Sequence, residues 1–179
     1  MPPLKKLDRT MPTEIQNKPS IVRFLFLYLT IMGFFLILIG YEPIQKIFDL
    51  NGYYTKLIVT LSAWLLAPFR IVENVTNTTI TIRNIQMQVL FGCNGLEAFL
   101  IYTVGIIAFP AQIIQKFWGI FIGFFILQII NVLRIASLGL VGAYAPEFFP
   151  TFHIYIAQGM MIAVALMLFM FWLNWATRS

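Results

Sequence analysis

Three side chains in this sequence could share one reaction. The only cysteine, Cys93, sits in Phe91-Gly92-Cys93-Asn94-Gly95 at the mouth of a hydrophobic run, and two later hydrophobic runs carry Arg134 and the sole histidine, His153, at their ends. A thiol, a fixed cation and a titratable imidazole are the groups that acyl transfer needs. The thiolate is the attacking species, and a nearby cation or a helix N-terminus favours it; Arg134 and a helix starting near Gly95 would supply both. Histidine takes the thiol proton as general base and returns one to the departing amine as general acid. Arginine keeps its proton throughout, so its role is electrostatic, on the thiolate or on a tetrahedral oxyanion. Gly92 and Gly95 leave room for backbone and substrate to approach the sulfur. Taken singly, each residue has a plainer use. A lone cysteine in an apolar chain usually packs, an interfacial histidine usually sits in a belt, and a helix-end arginine usually snorkels to water. Only their convergence would make a site.

Composition says what must position them. Of 179 residues, 60% are hydrophobic and 11% charged, against about 25% charged in soluble domains, so the chain reads as one integral membrane domain, residues 1–179. Residues 1–23 form a basic lead in which Lys5, Lys6, Arg9, Lys18 and Arg23 outnumber Asp8 and Glu14. This is the positive-inside pattern rather than a nucleic-acid surface. A polar lead without a small-residue cleavage site argues against a removable signal peptide. Residues 24–41 form a first transmembrane helix, and Asn51-Gly52 is a turn signal in the connector that follows. Residues 55–72 are apolar but interrupted by Lys56, Thr60, Ser62, Pro68 and Arg70; they suit a helix lying at the interface, with a short spanning helix as the alternative. Residues 73–92 alternate polar and apolar around Asn84, the period of a small hydrated hairpin, whose edge could accept an extended segment by strand addition.

Residues 93–175 hold the helices that would carry the site. About seventeen residues lead from Cys93 to Pro110 and about seventeen return from Phe117 to Arg134, each leg roughly 26 Å, so Arg134 comes back to the depth of Cys93. Ile135–Pro150 reads as a Gly- and Pro-punctuated connector, and His153 opens the last helix from the same side. The expected fold is therefore all-α: about four transmembrane helices, an interfacial helix and a small extracytoplasmic β-hairpin. If residues 55–72 crossed instead, the site would face inward or the lead outward; the basic lead and the interruptions favour the first arrangement. Gln128, Asn131 and Arg134 step by three along one helix as a polar stripe that faces protein rather than lipid. Glu97, one turn after Cys93, is expected to face inward, pairing with Arg134 or orienting His153. One cysteine and one histidine are too few soft ligands for a metal, and no cofactor is expected.

Phe91-Gly92-Cys93-Asn94-Gly95-Leu96-Glu97 resembles the Cys-(Ser/Asn)-Gly motif of the exosortase/archaeosortase family. Asn131-Val132-Leu133-Arg134-Ile135 resembles its Asn-x-x-Arg segment, and the region of His153 its third motif. The Asn-Gly-Leu-Glu variant and the Phe109-Pro110-Ala111 link look most like exosortase H, and the resemblance covers about residues 55–175. It implies a membrane cysteine protease of transpeptidase-like type in a bacterial inner membrane, with its active site on the extracytoplasmic face. The implied partners are membrane lipid and exported proteins that end in a C-terminal sorting signal: a short motif, a transmembrane helix and a basic tail. Carried over, Cys93 is the nucleophile, Arg134 the transition-state stabiliser and His153 the acid/base, with Asn94, Gly95, Glu97 and Asn131 in support. Two rivals remain: a non-enzymatic assembly subunit or small transporter whose polar stripe only packs helices, and a cysteine-dependent acyl or lipid transferase.

Overall fold

Long, mostly apolar runs make the two longest elements. The computed structural model describes residues 21–40, 50–83, 85–90 and 92–178. The lead before Ile21 and residues 41–49 of the first connector, with the expected end of the first helix at Tyr41, lie outside them. Ile21–Gly40 forms α1 and Leu50–Leu66 forms α2, which a 3-10 turn at Ala67–Phe69 closes. Three strands follow: β1 (Val72–Thr76), β2 (Thr79–Ile82) and β3 (Ile85–Gln88). Leu96–Ala108 is α3 and Ile113–Tyr144 is α4. A 3-10 turn at Pro146–Phe148, one α turn at Phe149–Thr151 and a π segment at Phe152–Ala157 then lead into α5, Gln158–Arg178. Among the described residues, Ile113–Tyr144 and Pro146–Arg178 are long and apolar enough to cross a membrane, and Ile21–Ile37 and Leu96–Ala108 are shorter apolar helices.

Four expectations change. Asn51-Gly52 is no turn: both residues lie in the first turns of α2, because Thr55, Ile58, Val59, Ser62, Ala63 and Leu66 repeat at helical spacing and are buried together. The helix stops at Leu66, two residues before Pro68, as the restricted conformation before proline favours. The hairpin is a three-stranded antiparallel sheet in the order β1-β2-β3. The strand that alternation missed, β1, is exposed along most of its length and so carries little hydrophobic period. The connector at 135–150 is mostly helix. As α4 continues to Tyr144, Ile135, Ala136, Leu138, Gly139 and Gly142 keep one face buried, and a helix of 32 residues reaches about 48 Å, beyond a hydrocarbon core of about 30 Å. His153 consequently sits inside a helical stretch that begins at Pro146 rather than at the opening of the last helix.

Two cores result. One joins α3, the first half of α4 and α5 through Tyr102, Ile106, Leu127, Met161, Ala165 and Trp172. The other joins α2, the sheet and the end of α4 through Val59, Leu66, Ile71, Ile80, Ile82 and Ile135. α2 lies beside the middle of α4: Tyr54, Leu57, Leu61 and Leu65 face Phe125, Gln128, Ile129 and Val132 across a groove. Leu66 and Ile82 meet at Gly139, where a Cβ would lie 2.8 Å and 2.9 Å from their Cδ1 atoms. Thr55, near the other end of α2, bonds Asn94. Both ends of α2 thus stay on the side of the bundle that carries Cys93 and the sheet.

Close helix contacts rest on small residues. A Cβ at Gly123 would run into the Tyr102 ring, whose hydroxyl donates to Gly119 O at 2.9 Å. Gly33 in α1 has nothing within 4 Å of the same position. Gly123→Ala should therefore destabilise by about 1–3 kcal/mol through overpacking, whereas Gly33→Ala should be neutral or stabilise by up to about 1 kcal/mol. Thermal unfolding of the detergent-purified protein compares the two, and equal effects would contradict this packing.

Candidate active site

Cys93 occupies a turn rather than a helix. Its amide donates to Leu90 O at 2.9 Å, and the flanking Gly92 and Gly95 have φ of 93° and 83°, where L side chains are strained. Asn94, fully buried, holds the turn in place. Its Nδ2 donates to Thr55 Oγ1 at 2.9 Å, and its Oδ1 accepts the Leu96 amide at 3.1 Å, which satisfies one open donor at the start of α3. Glu97 lies in the first turn of α3, where a carboxylate complements the helix dipole. The half-buried thiol thus sits at the entrance to a helix N-terminus.

The structure brings His153 to this sulfur: Cys93 Sγ and His153 Nε2 are 3.6 Å apart. The residue that carries the ring lies in the π segment, a widened turn that recurs at functional sites. Phe149, four residues earlier, stacks on the imidazole with ring centroids 6.0 Å apart and planes at 4°. His153 Nδ1 is buried and has no hydrogen-bond partner among the described residues. The ring is therefore steered by stacking and by the sulfur, and the expected orientation of His153 by Glu97 is not what the packing provides.

Arg134 arrives from α4 at 2% exposure. Its guanidinium lines one cleft with Gly92, Gly95 and Glu97, close enough for electrostatic interaction with Cys93 and Glu97. Nε and Nη2 have no hydrogen-bond partner among the described residues. Asn131, one turn earlier, is fully buried with both amide atoms likewise unpaired. Asn131 and Gln128 pack directly on Gly95, where a Cβ would lie 2.9 Å from Asn131 Cγ and 3.0 Å from Gln128 Oε1. The stripe at 128, 131 and 134 thus faces the cysteine turn. A small cleft of about 70 Å³ opens beside it, lined at its polar end by Gly92, Gly95, Glu97, Arg134 and Gln158. From there it continues over Ala98, Ile101, Ile162 and Ala165 between α3 and α5.

Cys93, Arg134 and His153, together with Asn94, Gly95, Glu97 and Asn131, therefore fall in one neighbourhood. Two further contributors, Thr55 and Gln158, went unread among the residues. Thr55 stood only as the first residue of the interrupted segment 55–72, although its place among α2 positions that repeat every three or four residues marks it as inward-facing. Gln158 was hidden because the π segment breaks the helical phase on which a face assignment depends.

A family model described as transmembrane exosortase matches residues 18–172 of the chain. No curated protein and no solved structure matches it.

The Thr55–Asn94 bond gives a test of how the turn is held. Thr55→Val removes the acceptor at nearly constant shape and leaves the buried Asn94 amide one partner short, at a cost of about 1–3 kcal/mol. Thr55→Ser keeps the hydroxyl. Alkylation of Cys93 by a maleimide should change rate in the valine variant and stay near wild type in the serine variant. Identical behaviour of both variants would mean that the bond does not position the thiol.

Proposed function

The chain belongs to the transmembrane exosortase family, and we propose that it is a membrane cysteine enzyme that cleaves the C-terminal sorting signal of exported proteins. The observation that carries this reading is the 3.6 Å approach of Cys93 Sγ to His153 Nε2, with the buried Arg134 directed at the same sulfur. His153 Nε2 takes the thiol proton as the sulfur attacks the scissile carbonyl. A C–S bond forms and the carbonyl electron pair moves onto oxygen, within reach of the unpaired Arg134 donors. The tetrahedral intermediate then collapses, the C–N bond breaks, and His153 returns its proton to the departing amine. A thioester remains on Cys93. Water or an amine acceptor attacks it, and the thiol is regenerated. Arg134 keeps its proton and acts by charge.

In this reading α1, α3, α4 and the stretch from Pro146 to Arg178 cross a bacterial inner membrane, with the basic lead in the cytoplasm. The cluster then lies at the outer boundary, with the sheet and the last turns of α4 beyond it and α2 lying along α4 at that boundary. The placement of both ends of α2 on the side of Cys93 supports this arrangement over one in which α2 crosses. The substrate class, an extended motif before a membrane helix and a basic tail, and the closer likeness to exosortase H come from the motif resemblance. The cleft supports them, since it leads from the polar cluster into an apolar groove between α3 and α5.

Coexpression with exported proteins from the same genome that carry such tails tests the reading, with loss of the tail followed by electrophoresis. Cys93→Ala should abolish cleavage, and His153→Ala and Arg134→Ala should each slow it by about 10²–10⁴-fold. Tail loss that survives Cys93→Ala would leave the residues a packing role. A labelled acyl group on Cys93 with every tail intact would point to an acyl or lipid transferase.

A further inference from the structure

We infer that the outer edge of β3 is the docking strand for the extended segment of substrate that precedes the scissile bond; the inference rests on the reading of the chain as a peptide-cleaving enzyme. The sheet order β1-β2-β3 leaves two outer edges. The Val89 amide donates to Thr78 O at 2.8 Å, and this fixes the phase of the β2–β3 ladder. Successive pairs in an antiparallel ladder alternate between bonded and non-bonded. Ile80 with Met87 and Ile82 with Ile85 are therefore the bonded pairs, while Gln86 and Gln88, opposite Thr81 and Thr79, turn their N–H and C=O groups outward. Among the described residues, neither Gln86 nor Gln88 makes a backbone hydrogen bond outside the sheet. The same alternation on β1 directs Asn74 and Thr76 to β2 and turns Val75 outward.

The two edges are not equivalent. β1 lies alongside α2, across a cleft lined by Lys56, Thr60, Trp64, Val75 and Asn77. β3 instead runs into the nucleophile: Gln88 is followed, five positions on, by Cys93, whose amide closes its turn on Leu90 O. Ile85 at the start of β3 reaches Gly142, where a Cβ would lie 3.7 Å from its Cδ1. Cys93 lies at Arg134, which is eight residues or about 12 Å back along α4. β3 therefore descends from the end of α4 toward the reacting cluster. A polypeptide that reaches the cluster from beyond the membrane travels the same way, so it would pair parallel to β3 and bond the outward groups of Gln86 and Gln88. Main-chain pairing gives affinity without demanding a particular sequence. It also delivers the scissile carbonyl to the sulfur in one orientation, which is what a positioned attack needs.

Proline at an outward-facing edge position deletes a docking N–H and spares the ladder to β2. With the full-length chain in membranes and a coexpressed tail-anchored exported protein, Gln88→Pro should lower cleavage by about tenfold or more, whereas Val75→Pro should stay within about twofold of wild type. Maleimide alkylation of Cys93 should be unchanged in both. Wild-type cleavage by Gln88→Pro, or an equal loss in Val75→Pro, overturns the inference. Absence of cleavage by the wild-type chain overturns the peptide-cleaving reading, and the inference with it. Should Gln88→Pro alter the thiol, photocrosslinking decides. In the Cys93→Ala chain, p-benzoylphenylalanine at position 86 should capture the exported protein and the same group at position 75 should not, and the reverse pattern refutes the assignment.

Discussion

A buried guanidinium governs the arrangement of this molecule. Arg134 is 2% exposed, and removing a cation from water carries a penalty of several kcal/mol even after relaxation. Something must answer that charge. The groups within its reach are the Cys93 sulfur and the Glu97 carboxylate, both supplied by the turn and first helical residues at the start of α3. The neighbours that answer the cation are therefore grouped around the cysteine turn. Its unpaired Nε and Nη2 would be an unexplained liability in a protein that only packs helices. In the proposed reaction they would meet the developing oxyanion, and preorganised donors need no reorientation as charge develops.

The fold supplies this contact at the seam between its two cores. Below the seam, α3, α4 and α5 pack through small residues and aromatic rings. Above it, α2 and the sheet cover the overhang of α4. The cysteine turn joins the two: β3 leads into it from above, α3 leaves it downward, and Thr55 ties it sideways to α2. Gly95 is where clearance is least, since its backbone lies against Asn131 and Gln128. A side chain there would meet both a positive φ and an occupied space, so turn and polar stripe constrain each other.

Much of this was legible in the residues because it follows from counting. Two apolar legs of similar length return Arg134 to the level of Cys93 whatever the details of packing, and the alternation at 79–88 marked two strands correctly. The failures have local causes. β1 was lost because an exposed strand has no hydrophobic period, and Val72–Thr76 is mostly exposed. The extension of α4 past Arg134 was lost because Gly139 and Gly142 resemble loop punctuation in a sequence. In the structure Gly139 admits Leu66 and Ile82 at close range, and Gly142 lies against Phe149 and Ile85. Thr55 illustrates a general limit: a hydroxyl at an ordinary helix position shows its purpose only when the partner, here thirty-nine residues away, is in place.

The π segment resolves a conflict of phase. His153 must face Cys93, while Met161, Ala165 and Trp172 must face the core between α3 and α4. In a regular α-helix, positions 153 and 161 differ by eight steps of about 100°, which leaves them about 80° apart around the axis. One extra residue accommodated in a π turn shifts everything downstream by about 100°, so the two faces come within about 20°. The imidazole and the buried stripe of α5 can then point the same way. The widened turn thus lets a single helical stretch hold an imidazole at the level of the sulfur and still close the apolar core beneath it.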